Sequence, residues 1–460
     1  MKNKLKLALV TLLSATALCG CFIGCNSSDR NDGPPAGGST DTSIGNSENN
    51  NDNNNNVNGG STTEVQKPIA TEGIEYEKIK ENDRVVGYKV IGIGTAKDTV
   101  IVIPDEYEEK PVTSIGAKAF EDCYKITKIT LPDTITDIQE DAFIGCEKLQ
   151  FTDYGNAKYL GTADNAYFAV IEAENTAITS VTIHAQTKVS AKYAFSGCKN
   201  LGNVSYSGSL ADWCDIDFSG DFANPLTMNA YLNINSQRVY NLEIPNTVTS
   251  IKKYAFNRMI VKSIKIPTSV TDIGYAAFSS VTGLTSDVVI PTNVTYIDKF
   301  AFSFMEGEYD IKINADELVL EENAFAYCNG VGELTISGER VEIGAEAFEG
   351  CEATSLTVMG GYVDVGISAF KYADFTSVQF KNSGTDLQTG AFSSCSKLAY
   401  AEFECLFSIG GSAFSSCDKL SDIHYGGSKS DWENVDKRYS WLGYRQVLTI
   451  RCSDGTVTAK

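Results

Sequence analysis

Thirteen cysteines, two histidines, 59 carboxylates and two tryptophans in matching phrases are the side chains of this 460-residue chain whose types suit catalysis, metal binding or ligand stacking. Seven of the cysteines obey a rule. Cys123, Cys146, Cys198, Cys328, Cys351, Cys395 and Cys417 each stand three residues after the phenylalanine of an Ala-Phe pair, as in VEIGAEAFEGC at 341–351. The paired C-x-x-C spacing of a zinc site is absent. Four further copies of the phrase carry Met259, Val281, Met305 and Ala373 at the same place, so the position is an apolar slot, which free cysteine fills as a small hydrophobe. If the copies lie on strands about 4.8 Å apart, a disulfide between neighbours such as Cys395 and Cys417 is within reach. The substitutions say that none is needed. No metal and no cofactor is expected.

The other candidates for chemistry are dispersed. His184 stands where other copies have a proline after a strand, and His424 lies on the last strand, on the order of 50 Å away if some ten coils of about 4.8 Å stack between them. The acids Glu342, Glu346 and Glu349 occupy positions where other copies show Lys, Ser or Tyr, unlike a held pair of hydrolytic carboxylates. There is no P-loop, no H-E-x-x-H and no nucleophile elbow in a suitable setting. Asn54, Asn56, Asn58 and Gly59 imitate half of a calcium loop, but its leading aspartate is missing and the closing acid, Glu64, comes one place early. The chain reads as no enzyme.

Trp213 and Trp432 end the phrases YSGSLADW (206–213) and YGGSKSDW (425–432). Two readings stand. In one, each phrase is a cap whose aromatics cover the last apolar coil of a block. In the other, Tyr206, Trp213, Tyr425 and Trp432 form exposed platforms on which a sugar or peptide stacks. Cys214 and Cys452, one in each module, do not occupy equivalent places.

The elements that must position these residues are repeats. Eleven Ala-Phe pairs put phenylalanine at 120, 143, 195, 256, 278, 302, 325, 348, 370, 392 and 414, with steps of 22 to 24 from Phe256 onward. A fixed period in the twenties marks a solenoid with one coil per repeat. Each unit opens with a short alternating run such as SIKIP (263–267), which predicts a strand ended by proline. Ile115, Ala119 and Cys123 recur at steps of four, predicting one helical turn on the far side of the coil. A single unit cannot fold alone, because ordering about 22 backbones costs roughly 20–40 kcal/mol while each buried Phe or Ile returns about 1.5–3 kcal/mol. Stacking must do the rest, lining identical positions into ladders.

The pattern of strand, Ile-Pro and VTSIGxxAFxxC resembles the bacterial BspA-like class of leucine-rich repeats over about residues 74–452. The opening EGIEYEKIKENDRVVGYKVIGIGTAKDTVIVIP is similar to that family's N-terminal lead-in. The resemblance implies a mainly β, right-handed solenoid with short helical turns, a parallel sheet on its concave face, and a surface protein of the adhesin or ligand-binding kind without catalytic residues. Two steps are long. That from Phe143 to Phe195 holds KYLGTADNAYFAVIEA, which reads as an inserted hairpin, and that from Phe195 to Phe256 holds the first YxGxxxDW module.

The N-terminus, MKNKLKLALVTLLSATALCGCFIGC, reads as a secretory signal. LCGC resembles a bacterial lipobox, which makes Cys21 the acylated residue, with Cys25 as the alternative. Residues 1–20 are then a lipoprotein signal peptide, 21–68 an Asn/Ser/Gly-rich tether with little to bury, and 69–111 a capping hairpin and first strand. Residues 112–240 form a first repeat block and 241–460 a second, each ending in the module. The middle outward strand positions, Thr130, Thr182, Ser205, Glu243, Lys265, Val289, Lys312, Thr335, Thr357, Gln379, Glu402 and His424, make a mostly polar ledge. Thr335, Thr357, Gln379 and Glu402 are its candidate ligand contacts. The net charge of −21 disfavours nucleic acid. A monomeric, lipid-anchored binding or adhesion protein displayed on the cell surface, recognising protein or polysaccharide, is expected. An envelope spacer and a glycan-binding accessory of a polysaccharide-utilisation system are the alternatives.

Overall fold

Strand pairing begins at the N-terminal lead-in, where Glu75–Glu81 runs antiparallel to Arg84–Gly92 and the latter pairs in parallel with Lys110–Ile115. The computed structural model describes residues 69–443 and 447–459, which belong to one compact unit, Val65–Lys460. The signal segment, Cys21, Cys25 and the tether lie outside the described residues. From there the chain is a β-solenoid. Its longest sheet has 18 strands among the described residues, from Asn241–Glu243 to Gly455–Ala459, parallel throughout except for the closing hairpin. Alternation does what period two requires: Ile311 and Ile313 are buried while Lys312 between them faces outward.

Inside the coils the phenylalanines stack. From Phe256 to Phe414 neighbouring rings lie 4.7–5.5 Å apart and within 17° of parallel. Each ring is fully buried, contributing about 1.5–3 kcal/mol by burial and roughly 0.5–1.5 kcal/mol per aromatic pair. The expected cysteine slot is beside this stack. Cys328, Cys395 and Cys417 are buried thiols outside any disulfide, each donating to the phenylalanine carbonyl of the coil immediately before its own, at 3.1 Å from Phe302, Phe370 and Phe392 respectively. The thiol thus adds a weak link between coils to its apolar contacts. Burial pushes the Cys328 thiol up to about 12, so this thiol stays protonated at neutral pH.

The far side of the coil is not a helical turn. In all eleven coils the residues two before and two after the phenylalanine have φ between +51° and +80°, beginning with Lys118 and Asp122 and ending with Ser412 and Ser416. Backbone hydrogen bonding explains why. In the coil of Phe120, the amides of Ala119, Glu121 and Cys123 close local turns on Gly116, Lys118 and Phe120, while those of Lys118, Phe120 and Asp122 reach the carbonyls of Glu140, Ala142 and Ile144 in the next coil, at 2.8–3.1 Å. Alternating right- and left-handed residues turn every second N–H along the solenoid, giving a second ladder opposite the sheet. A regular helix would aim all of these amides at its own chain and leave the neighbouring coil unpaired.

The long steps interrupt this ladder and repair it. Between Phe143 and Phe195, Thr152–Tyr154, Ala157–Leu160 and Ala169–Ala173 form a three-stranded antiparallel meander, one strand more than a hairpin. Its Ala173 amide supplies the donor for the Ala194 carbonyl. Two apolar clusters meet here, one running from Ile74 to Ala191 and the other from Ala157 to Ile450. The second cluster therefore crosses residue 240 without a break.

Candidate binding surface

The ledge forms, in three sheets. Val102 and Thr130 pair in one; Thr182, Ser205 and Asn233 align in another. In the long sheet Glu243, Lys265, Val289, Lys312, Thr335, Thr357, Gln379, Glu402, His424 and Arg451 stand in register, coil after coil. Sequence reading missed Val102, Asn233 and Arg451. The last two sit on the strand that follows each YxGxxxDW module, where no Ala-Phe phrase marks the coil.

Thr335 and Thr357 are half-exposed. Downstream the ledge becomes a charged network: Gln379 Nε2 and the Tyr400 hydroxyl donate to Glu402 Oε2 at 2.9 and 3.0 Å, and His424 Nε2 and Arg451 Nε meet Asp422 Oδ1 at 3.1 and 3.3 Å. Hydrogen bonding and charge from Arg451 hold the Asp422 carboxyl below its usual range. One coil before Thr335, Lys312 pairs with Asp287 at 2.5 Å. Such a strip can align an extended ligand, offering acceptors and donors at the coil repeat. His184 sits elsewhere, stacked on Tyr167 at 3.9 Å with its Nδ1 accepting the Gln186 amide.

The stacking platforms expected at the modules are corrected by burial. Trp213 is 0% exposed and Trp432 3%, with Tyr206 and Tyr425 packed edge-on against them at 5.3 and 5.5 Å. Neither tryptophan has a free face for a ligand. The spacing Y-x-G follows from this packing, since a Cβ on Gly208 or Gly427 would lie within 2.8 Å of the Tyr206 or Tyr425 ring. A five-residue helix, α1 (Leu210–Cys214), and a six-residue helix, α2 (Lys429–Asn434), carry the tryptophans. Each opens with a capping box, Ser209 with Asp212 and Ser428 with Asp431. The modules close the turn-face ladder as well: the amides of Tyr193 and Phe195 reach the Asp221 and Phe222 carbonyls, and those of Ser412 and Phe414 reach Ser440 and Trp441.

Among the described residues no cluster of three or more His, Cys, Asp or Glu side chains could hold a metal ion, and no helix is long and apolar enough to cross a membrane.

Stacked parallel strands, one per repeat of 22 to 24 residues, with a buried Phe ladder define a solenoid of the leucine-rich-repeat class. The chain belongs to the family described as the BspA type leucine rich repeat region, which matches in six copies over residues 113–220, 226–338 and 318–435. Repeats of this kind are typical of non-catalytic surface proteins with binding or adhesion roles. Among solved structures, the chain is similar to a leucine-rich cell surface protein from Faecalibacterium prausnitzii A2-165 (22% identity, 80% of this chain and 98% of that one, TM-score 0.32). It is also similar to a leucine-rich repeat protein from Bacteroides ovatus ATCC 8483 (16%, 84% and 99%, 0.28) and to the pneumococcal vaccine antigen PcpA (13%, 84% and 93%, 0.31). No curated protein matches it.

Proposed function

We propose that the chain is exported, acylated at Cys21, and held by its lipid at the cell surface, where the solenoid acts as a monomeric, non-catalytic binding or adhesion protein for a protein or polysaccharide. The observation that carries this reading is the in-register ledge from Glu243 to Arg451, with Thr335, Thr357, Gln379 and Glu402 at its centre. Polar side chains repeated about every 4.8 Å suit an extended polypeptide or glycan, and an acidic chain of net charge −21 disfavours nucleic acid. The lipobox-like LCGC after an apolar run supports the anchor, since several acyl chains at about 0.8 kcal/mol per buried methylene hold firmly to a bilayer.

The test is a screen of the purified full chain against matrix proteins and polysaccharides beside a combined Thr335→Ala, Thr357→Ala and Gln379→Ala variant. Saturable binding, at least tenfold weaker in the variant with an unchanged melting point, is the expected result. A chain that binds nothing would turn the reading toward an envelope spacer. Cys21→Ala should move the protein from the membrane fraction to the medium; release only by Cys25→Ala would relocate the lipid.

A further inference from the structure

Ten of the eleven ladder phenylalanines donate their amide to the segment that follows on the turn face, and Phe143 does not. Its coil keeps the alternation of handedness, with Asp141 at φ 54° and Gly145 at 75°, so the amides of Asp141, Phe143 and Gly145 are aimed along the solenoid as those of Lys118, Phe120 and Asp122 are. None of the three has a protein acceptor among the described residues. The inserted meander is the cause: it serves the coil after it through the Ala173 amide but offers these three amides no carbonyl. A cleft of about 540 Å³ is lined by residues 141–147, with Ile171, Lys192 and Tyr193 also in its walls. Two side chains open toward it. Phe143 stacks on Phe120 at 5.6 Å, no other described ring stacks on it, and it is 8% exposed where the other ten are 0%. Ile144 is 49% exposed at a position where the other ten coils carry Glu, Ser, Asn, Ala or Lys. The repeat itself needs no large apolar side chain there.

We propose that this cleft binds an extended segment of a partner polypeptide in which a bulky apolar side chain is flanked by basic ones. Alternate carbonyls of the segment accept from the Asp141, Phe143 and Gly145 amides, and its apolar side chain rests on Phe143 and Ile144. The inference rests on reading the chain as a binding protein and adds a second site, away from the ledge, together with its ligand class. Donors two residues apart match the period of two with which an extended peptide presents its carbonyls on one side. One coil earlier the equivalent amides are met by peptide carbonyls at 2.8–3.1 Å, so a polypeptide supplies what the interrupted ladder lacks. As in strand addition, main-chain bonds give affinity and side-chain contacts give specificity. Charge sets the flanks. Lys158 pairs with Glu172 at 2.7 Å and Lys192 with Glu140 at 2.8 Å, and outside these pairs stand two further lining acids, Asp141 and Glu147. Basic side chains on the peptide complement both acids, whereas a free anion at the same amides is repelled by them.

Fluorescence polarisation of a labelled, capped heptapeptide with phenylalanine at its centre and lysine at both ends, titrated with the full chain, tests this beside peptides with a central alanine or terminal glutamates. Two variants accompany it. Ile144→Ser copies Ser196 and Ser279, and Asp141→Lys with Glu147→Lys copies Lys118 and Lys199, so the repeat accepts each new side chain. The expected result is saturable binding of the lysine and phenylalanine peptide, weakened about tenfold by either peptide change and by each variant, at an unchanged melting point. Binding should persist when Thr335, Thr357 and Gln379 are replaced, and amide exchange at residues 141–145 should slow in the bound chain. Binding lost with the ledge variant but untouched by the cleft variants would overturn the cleft while leaving the proposed function standing. Equal binding of the alanine peptide would show mere charge attraction and overturn it too, as would no saturable binding or protection confined to other coils. Slow exchange at 141–145 without any peptide would also overturn it, assigning the cleft to a second copy if protection rises with protein concentration and to the chain's own N-terminal segment if it does not.

Discussion

The two YxGxxxDW modules share a local structure and differ in what lies beyond them. At the internal module another coil follows. Between ordinary coils the carbonyl equivalent to Ala255 O accepts the amide of the preceding phenylalanine; here Trp213 Nε1 and Asn224 Nδ2 donate to Ala255 O instead, at 2.8 and 2.9 Å. Asn224 also reaches the Tyr254 carbonyl at 2.8 Å, and Lys252 pairs with Asp217 at 3.0 Å. At the terminal module these partners change. The counterparts of Asn224, Phe218 and Phe222 are Gly443, Lys437 and Trp441. Lys437 sits over the Trp432 ring and caps the Trp432 and Val435 carbonyls, and Trp441 packs under Trp432 at 5.9 Å. A cap becomes a junction when its polar atoms are aimed at the next coil's carbonyls, and stays a cap when a charged side chain meets solvent there.

The largest effect expected from this contrast is at the tryptophans. Trp213→Ala should cost about 3–5 kcal/mol, as removal of a fully buried aromatic does, and because solenoid stability is a sum over neighbouring coils, it should split thermal unfolding into two calorimetric steps. Trp432→Ala should loosen only the last coil, seen as faster amide exchange after about residue 417 with the main transition unmoved. Equal effects from both would break the distinction between junction and cap. The next effect is at Asn224. Asn224→Gly, which copies Gly443, leaves the Tyr254 carbonyl without its side-chain donor and should lower stability to denaturant by about 1–3 kcal/mol.

The smallest effects belong to the capping boxes. Ser209→Ala should cost about 1 kcal/mol, and Ser428→Ala only fray α2. Hydrogen bonds from Ser209 and Ser428 hold the Asp212 and Asp431 carboxyls below their usual range. A depressed folded value means that each box contributes fully above the unfolded aspartate value of about 3.9 and loses its contribution as pH falls through the folded one. Acid titration of native chain and Ser209→Ala, followed by calorimetry, should therefore converge as pH falls below the unfolded aspartate value and through the lower folded one.

Much of the fold was legible because inward-facing residues repeat at a fixed step. The Ala-Phe pair and the apolar cysteine slot needed only counting, and strands such as Ser263–Lys265 followed from alternation and a closing proline. The turn face was misread as a helical turn, because a step of four between Ile115, Ala119 and Cys123 fits a helix as well as alternating-handed turns; only the intercoil amides separate them. Most ledge residues were legible from the repeat, but Val102, Asn233 and Arg451 were not. Burial of Trp213 and Trp432 was not, since the same phrase suits a lid or a platform. The aromatic cluster of Tyr254, Tyr275 and Phe300 left no signal along the chain, because its rings become neighbours only through stacking.

The sequence by itself determined the repeat, its core ladder and the outward ledge, all of which depend on residues within one coil. Tertiary structure alone decided which module joins and which ends the solenoid, and which surface rings meet across coils. Those properties belong to pairs of coils, since an orphan carbonyl or a gap between side chains exists only relative to a partner some 22 or more residues away.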